Sequence, residues 1–407
     1  MHRHKEDKMT NKIIYLDNNA TTKIDDKVLE AMMPYFKENY SNPSSIYSFG
    51  GITAKAIAVA REQIRDFVGA KSAKEITFTA SGSESSNTAI RGVLDADKTK
   101  KHIITTQVEH PCVLSLYKTL EKQGYQVDYI GVNSNGELDL DDLEKAICDE
   151  TALVSCMWAN NETGVIFPIK KISKLIKSKN KDTKLFVDGV QAAGKFPMDV
   201  EDCGIDLLSI SGHKFHAPKG VGALYVKSGT MFSPLIVGGH QERGKRAGTE
   251  NVAYIVGMGK AAELAKEGLA YEATTVKYLR DKLESSILKT VFNARLNTAV
   301  TNRVPNTTNI GFEYVEGELI LLHLSDFGIC ASSGSACTSG SLEPSHVLKA
   351  MGVPFTALHG SIRFSLSRFT TEQEIDTVIS IMPIIIDKLT QISPFQDELA
   401  QLRAHKS

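Results

Sequence analysis

Apolar residues along this chain fall into short runs separated by amphipathic stretches. Ile76–Thr79, Ile103–Thr106, Leu153–Met157, Leu185–Val187 and Leu207–Ile210 each predict a short buried strand. Between them, Val113–Leu120 and Ile169–Ile176 predict helices, and after Gly50-Gly51 the residues Ile57, Ala60, Ile64 and Phe67 recur on one helical face. Alternation of this kind predicts an α/β fold with a mainly parallel sheet covered by helices on both faces. Ligands of such sheets sit beyond the carboxyl ends of the strands. Polar loops cluster there, beginning with Asp17-Asn18-Asn19-Ala20-Thr21-Thr22, which ends the first apolar run at Lys12–Leu16.

After about Gly257 the pattern changes. Val276, Leu279, Leu283 and Ile287 share a face of a long helix, followed by a strand at Thr308–Phe312, a helix from Glu316 and a Gly/Ser-rich loop at Ser332–Ser341. A strand at Ser361–Leu366 comes next, then a last helix opened by a capping box at Thr371–Glu374 and expected to kink at Pro383. The expected division is an N-terminal extension at 1–12, a large domain at 13–256, and a smaller α+β domain at 257–407 on which the first residues of the fold can also pack.

A length of 407 residues permits a large core. Net charge is −1, so no electrostatic footprint for nucleic acid or an anionic membrane is present. No apolar stretch reaches the length of a membrane span, and the start MHRHKEDKMTNK lacks the apolar core of a signal peptide, so the expected location is the cytoplasm. The cysteines Cys112, Cys148, Cys156, Cys203, Cys330 and Cys337 form no C-x-x-C pair, and reduced thiols are the expectation.

The polar loops carry candidate chemistry. Lys214, in Ser211-Gly212-His213-Lys214, ends an apolar strand between His213 and His216, where an amine is available to form an imine; a solvated strand-capping lysine is the plainer alternative. Ala80-Ser81-Gly82-Ser83-Glu84-Ser85 precedes a helix and suits an anion, although Ser81 or Ser83 could equally serve as an N-cap. His110, in Glu109-His110-Pro111, can stack on a flat ring, move a proton, or simply precede a helix starting at Pro111. The asparagines of Trp158–Gly164 fit either a turn or a ligand hydroxyl. Asp188 closes an apolar strand, where burial calls for a cationic partner or a ring N–H unless it only caps the next turn. Together a lysine, an aspartate, a histidine and a Gly/Ser loop suggest pyridoxal phosphate. Cys337 lies among small residues in Ser332–Ser341, as a mobile nucleophile would, or as an incidental thiol in a linker. Arg363 interrupts an apolar strand and suits a carboxylate clamp or a structural salt bridge.

Tyr15–Thr22, Ser211–Lys214 and Ser333-Gly334-Ser335-Ala336-Cys337-Thr338-Ser339 resemble the signatures of cysteine desulfurases, pyridoxal-phosphate enzymes of fold type I in aminotransferase class V. The resemblance runs from about Ile14 to Pro394, and the stretches Gly239–Gly244 and Arg246–Asn251 look closest to the nitrogen-fixation type. It implies Lys214 as the Schiff-base lysine, Asp188 on the pyridine nitrogen, His110 over the ring, and Asn161 and Gln191 near the ring hydroxyl. Gly82, Ser83, Ser211 and His213 would hold the phosphate, with Thr249 donated by the second subunit of a homodimer. Asn42 and Arg363 would position the substrate carboxylate. The implied reaction converts L-cysteine to alanine and leaves a persulfide on Cys337, which passes sulfur to an acceptor such as an iron–sulfur scaffold protein, nitrogenase maturation being one destination. No intrinsic metal is expected, although Cys337 could transiently contact an iron–sulfur cluster. Another reaction on the same fold (transamination or selenocysteine lysis) and a non-catalytic sulfur carrier are the competing expectations. Tyr47, Ser83 and Gly189 depart from the histidine, threonine and alanine usual in the family.

Overall fold

A computed structural model describes residues 13–298, 302–333 and 344–406. The first strand, β1 (Ile14–Tyr15), leads to a seven-stranded sheet built from β2 (Ile76–Thr79), β3 (His102–Thr106), β4 (Gln126–Ile130), β5 (Thr151–Met157), β6 (Lys184–Asp188), β7 (Leu207–Ser211) and β8 (Gly222–Val226). Their spatial order is β2-β8-β7-β6-β5-β3-β4, and β8 alone runs against the others. The expected parallel sheet is therefore present, with one reversed strand inserted beside β2.

Because side chains alternate across a strand, one sheet builds two cores. Ile104, Val154, Val187 and Leu208 face the helices Ser48–Val68 and Ile169–Lys179. Ile103, Leu153, Phe186 and Leu207 face Gly82–Ala96 and Pro111–Lys122. Strands buried on both faces read as unbroken apolar runs, which is why these were legible.

The second part of the chain forms a four-stranded sheet from β9 (Ala294–Leu296), β10 (Thr307–Phe312), β12 (Ser332–Ser333) and β13 (Ser361–Ser365), while β11 (Ile329–Cys330) pairs with β1. Val276, Leu279, Leu283 and Ile287 are buried in its core, together with Ile14 and Leu16 from the start of the chain. The helix Val252–Glu267 instead buries Ile255, Met258 and Ala261 in the first core, so the expected boundary at 256/257 falls inside a helix of the first lobe. The capping box at Thr371 opens Glu372–Ile392, which continues helical through Pro383, and a further helix, Gln396–Lys406, follows the one expected to be last.

Candidate active site

The carboxyl ends of β3, β5, β6 and β7 meet the N-terminus of the helix Gly82–Ala96 around a cavity of about 280 Å³. Each wall follows from a local device. Ser81 caps the helix by accepting the Glu84 N–H at 3.1 Å, which leaves Gly82 and Ser83 on the cavity surface. A Cβ on Gly82 would stand 3.0 Å from Val190 Cγ2 and 3.1 Å from Ser211 Cβ, so glycine keeps the end of this cradle open. His110 caps the helix that starts at Pro111, its Nδ1 accepting the Cys112 N–H at 3.2 Å, and its ring still faces the cavity. The capping alternatives for Ser81 and His110 are thus met, and neither cap removes these residues from the cavity wall.

Lys214 sits on the single 3₁₀ turn Gly212–Lys214 that ends β7, and its Nζ donates to the carbonyls of Asn19 at 2.5 Å and Ala20 at 2.8 Å. Asp188, Asn161, Gln191, Ser211 and His213 line the same cavity. Gln191 Nε2 also donates to the Asn19 carbonyl at 3.1 Å, and His213 Nδ1 lies 3.1 Å from Thr21 Oγ1. The loop after β1 therefore forms the floor under the lysine.

Burial dominates the electrostatics. The Asp188 carboxyl is pushed up to about 6 by burial, against the Val190 N–H and the Lys214 charge, which favour the anion. Burial and the neighbouring Lys214 push His110 down to about 4, and the same causes act on His213, also to about 4. Both imidazoles are neutral at physiological pH. Glu109, fully buried behind the cavity, is raised to about 8 by burial and by the Asp188 charge, although it accepts the Met157 N–H at 2.7 Å and the Thr106 hydroxyl at 3.1 Å. Sequence reasoning gave Glu109 no role. The available signal was an ionisable residue beside His110, just after an apolar strand. Cys112 and Met157 also line the cavity without having been singled out.

Among the described residues, the expected Arg363, Asn42 and Thr249 do not line this cavity. Arg363, on β13 and 3% exposed, donates to the Asn161 carbonyl at 2.9 Å and to Asp17 Oδ1 at 2.7 Å, so it stands behind the wall that Asn161 forms. Asn42 is exposed, and its Oδ1 closes a local turn on the Ser44 N–H at 2.9 Å. Thr249 lines a separate pocket with Phe78, Glu242 and Arg246. Cys337 lies outside the described residues, whereas the return end of its loop is anchored by the Ser345 hydroxyl on the buried carboxyl of Glu162. Of the departures from the family pattern, Tyr47 is the exposed residue preceding the helix Ser48–Val68. At Gly189, a Cβ would come within 2.7 Å of Leu208 Cδ1. Leu208 fills the space that the usual alanine would take.

The family model described as aminotransferase class-V matches residues 14–378. The chain belongs to the aminotransferase class-V family. Within it, the chain is 57% identical to a cysteine desulfurase of Nostoc sp. over 398 residues, 97% of this chain and 98% of that one. It is 52% identical to the cysteine desulfurase NifS of Azotobacter vinelandii over 382 residues, 94% of each chain. A solved NifS-like protein superposes with a TM-score of 0.88 at 40% identity, covering 93% of this chain and all of that one. The class-V fold thus accounts for both sheets.

Proposed function

We propose that this class-V protein is a pyridoxal-phosphate-dependent cysteine desulfurase. The observation that carries the proposal is one cavity that holds Lys214, Asp188 and His110 in front of the N-terminus of Gly82–Ala96. The chemistry of this donor set fits the cofactor: an amine for the imine, a carboxyl for the ring nitrogen, and helix N–H groups with Ser83, Ser211 and His213 around an open Gly82 cradle for the phosphate. Asn161 and Gln191 would reach the ring hydroxyl, and Thr249 of a second copy would complete the phosphate site in a homodimer. When bound, the cofactor supplies an electron sink for bonds at the substrate carbons.

This chain's own residues do the rest. Lys214 Nζ, at the end of β7 in the cavity, would move the proton at the substrate α-carbon. His110, neutral because burial and Lys214 disfavour its cation, is available as a proton acceptor. Arg363, oriented by Asp17 and Asn161, binds the L-cysteine carboxylate with Asn42. The Cys337 thiolate attacks the substrate sulfur: an S–S bond forms, the S–Cβ bond breaks, and the electron pair left on carbon takes a proton on the way to alanine. The persulfide sulfur then passes in the cytoplasm to an acceptor such as an iron–sulfur scaffold protein, and the likeness to NifS points to nitrogenase maturation.

The deciding assay is alanine release from L-cysteine by the cofactor-loaded protein with a reducing thiol. Turnover is expected in the wild type and is expected to vanish in both Lys214→Ala and Cys337→Ala. Cofactor bound through Lys214 without any alanine would overturn the substrate assignment, in favour of selenocysteine lysis or transamination. Alanine and sulfur delivery undiminished in Cys337→Ala would overturn the role of the thiol.

A further inference from the structure

At the opposite edge of the central sheet, where the parallel strands begin, a cysteine, a histidine and an aspartate meet. His102 opens β3, Asp128 lies on neighbouring β4, and Cys148 lies in the turn entering β5 at Thr151. His102 is 3% exposed; its Nε2 lies 3.1 Å from Asp128 Oδ2, and its Nδ1 lies 3.5 Å from Cys148 Sγ. A carboxylate oxygen only accepts, so Nε2 carries the ring proton and Nδ1 presents a lone pair to the thiol. Thr151 Oγ1 accepts the Cys148 N–H at 2.9 Å and lies 2.8 Å from the same Nδ1, so its single proton goes to the Nδ1 lone pair at rest and turns to Sγ, 3.5 Å away, once Nδ1 has taken the thiol proton. Asn180 Nδ2 holds the Cys148 carbonyl at 3.0 Å, which orders the turn, while Cys148 itself is exposed.

A nucleophile, a base and a carboxylate that orients the base are the parts a thiol needs for attack at neutral pH. Burial pushes Cys112, Cys156, Cys203 and Cys330 towards the neutral thiol. We propose that Cys148 is a reactive surface thiol, assisted by His102 and Asp128, that forms a mixed disulfide with a low-molecular-weight disulfide. His102 Nδ1 takes the thiol proton as Sγ attacks one sulfur of R–S–S–R. The new Sγ–S bond forms, the old S–S bond breaks, and the departing thiolate recovers the proton from His102 as R–SH. Cys148 is oxidised and the incoming disulfide is reduced, so the exchange needs no other oxidant. The Thr151 hydroxyl donates to the sulfur as charge builds on it, and Asp128 stabilises the imidazolium. The modification is separate from Lys214, because the cluster sits at the starts of the strands rather than at their ends.

The test exposes the cofactor-loaded full chain to oxidised glutathione, quenches with acid at intervals, and measures glutathione on each cysteine-bearing peptide by mass. The Cys148 peptide is expected to be modified at least about tenfold faster than those of Cys112, Cys156, Cys203 and Cys330. His102→Gln and Asp128→Asn are each expected to slow it by at least about tenfold, a floor beneath the roughly 10²–10⁴-fold that general acid–base catalysis typically contributes. The Asp128 side chain is 41% exposed, so Asp128→Asn is the variant that keeps the fold, checked by circular dichroism and melting temperature. Equal rates in wild type and folded Asp128→Asn would overturn the proposal: Cys148 would then react through exposure alone, and His102 would only tie strand starts together.

Discussion

Glu162 shows how one buried carboxyl ties pH to stability. Burial raises it to about 7, against the Ser345 hydroxyl and the Arg363 charge, which favour the anion. An unfolded chain releases that proton near the ordinary value of 4.5, so the folded state binds it more tightly. Its contribution is therefore complete below that value and is lost as pH rises towards about 7, at up to about 1.4 kcal/mol per pH unit. Glu162→Gln should flatten this part of the stability profile, measured by urea unfolding of the wild type and the variant across the range. An unchanged slope would place the proton elsewhere. At this scale the legible residues were those whose type conflicts with their position: Lys214, Asp188 and His110 are polar groups that end apolar strands. Glu109 and Glu162 escaped because nothing in the sequence said that their loops turn inward rather than out to solvent.

Elements were legible where burial made the pattern simple. β2 agrees with its expected run residue for residue, and β3, β5, β6 and β7 differ by a residue or two at their ends. β4 was missed because, as an edge strand, it is only half-buried through most of its length. β8 was missed although it is buried throughout, since its reversed direction breaks the strand–helix alternation that guided the reading. The loop leading to Thr249 was equally opaque. Its turn places Glu242 and Arg243 at φ 47° and 58°, a strained left-handed pair. What holds it is the carboxylate of Glu242, gripped by Arg61 through both oxygens at 2.5 and 2.7 Å and accepting the Phe78 N–H at 3.0 Å. Glu242→Ala would leave Arg61, whose side chain is 11% exposed, without its buried partner and should cost about 3–5 kcal/mol. Denaturant unfolding measures the loss, and faster proteolysis within residues 238–249 should accompany it. A loss below about 1 kcal/mol would show that the loop holds itself.

For the whole molecule, the decisive joint is Asn19. Its amide nitrogen donates to the Asn161 carbonyl at 3.1 Å and to Thr307 Oγ1 at 2.9 Å, its oxygen accepts from Asn306 at 3.1 Å, and its own carbonyl receives Lys214 and Gln191. One buried residue thus joins the cavity floor, the loop after β5 and the sheet of the second lobe. Asn19→Ala should destabilise the protein by roughly 2 kcal/mol or more, because several buried groups lose partners together. The same variant should retain pyridoxal phosphate less well in dialysis followed by absorbance. A wild-type melting temperature with full cofactor retention would contradict this joint.

The sequence by itself determined the class of fold and singled out Lys214, Asp188, His110 and the Ser81–Ser83 loop, because strands buried on both faces leave unbroken apolar runs and the polar residues that follow them stand out. The resemblance to a known family supplied Asn161, Gln191, Ser211 and His213. Tertiary structure decided what those residues meet. Strand order brought Lys214, Asp188 and His110 to one cavity, and sheet pairing across more than 300 positions in the chain set Arg363 against Asp17. It also lined up the first residues of adjacent strands so that Cys148, His102 and Asp128 touch. Periodicity records which face of an element is buried; it carries no record of which elements lie side by side.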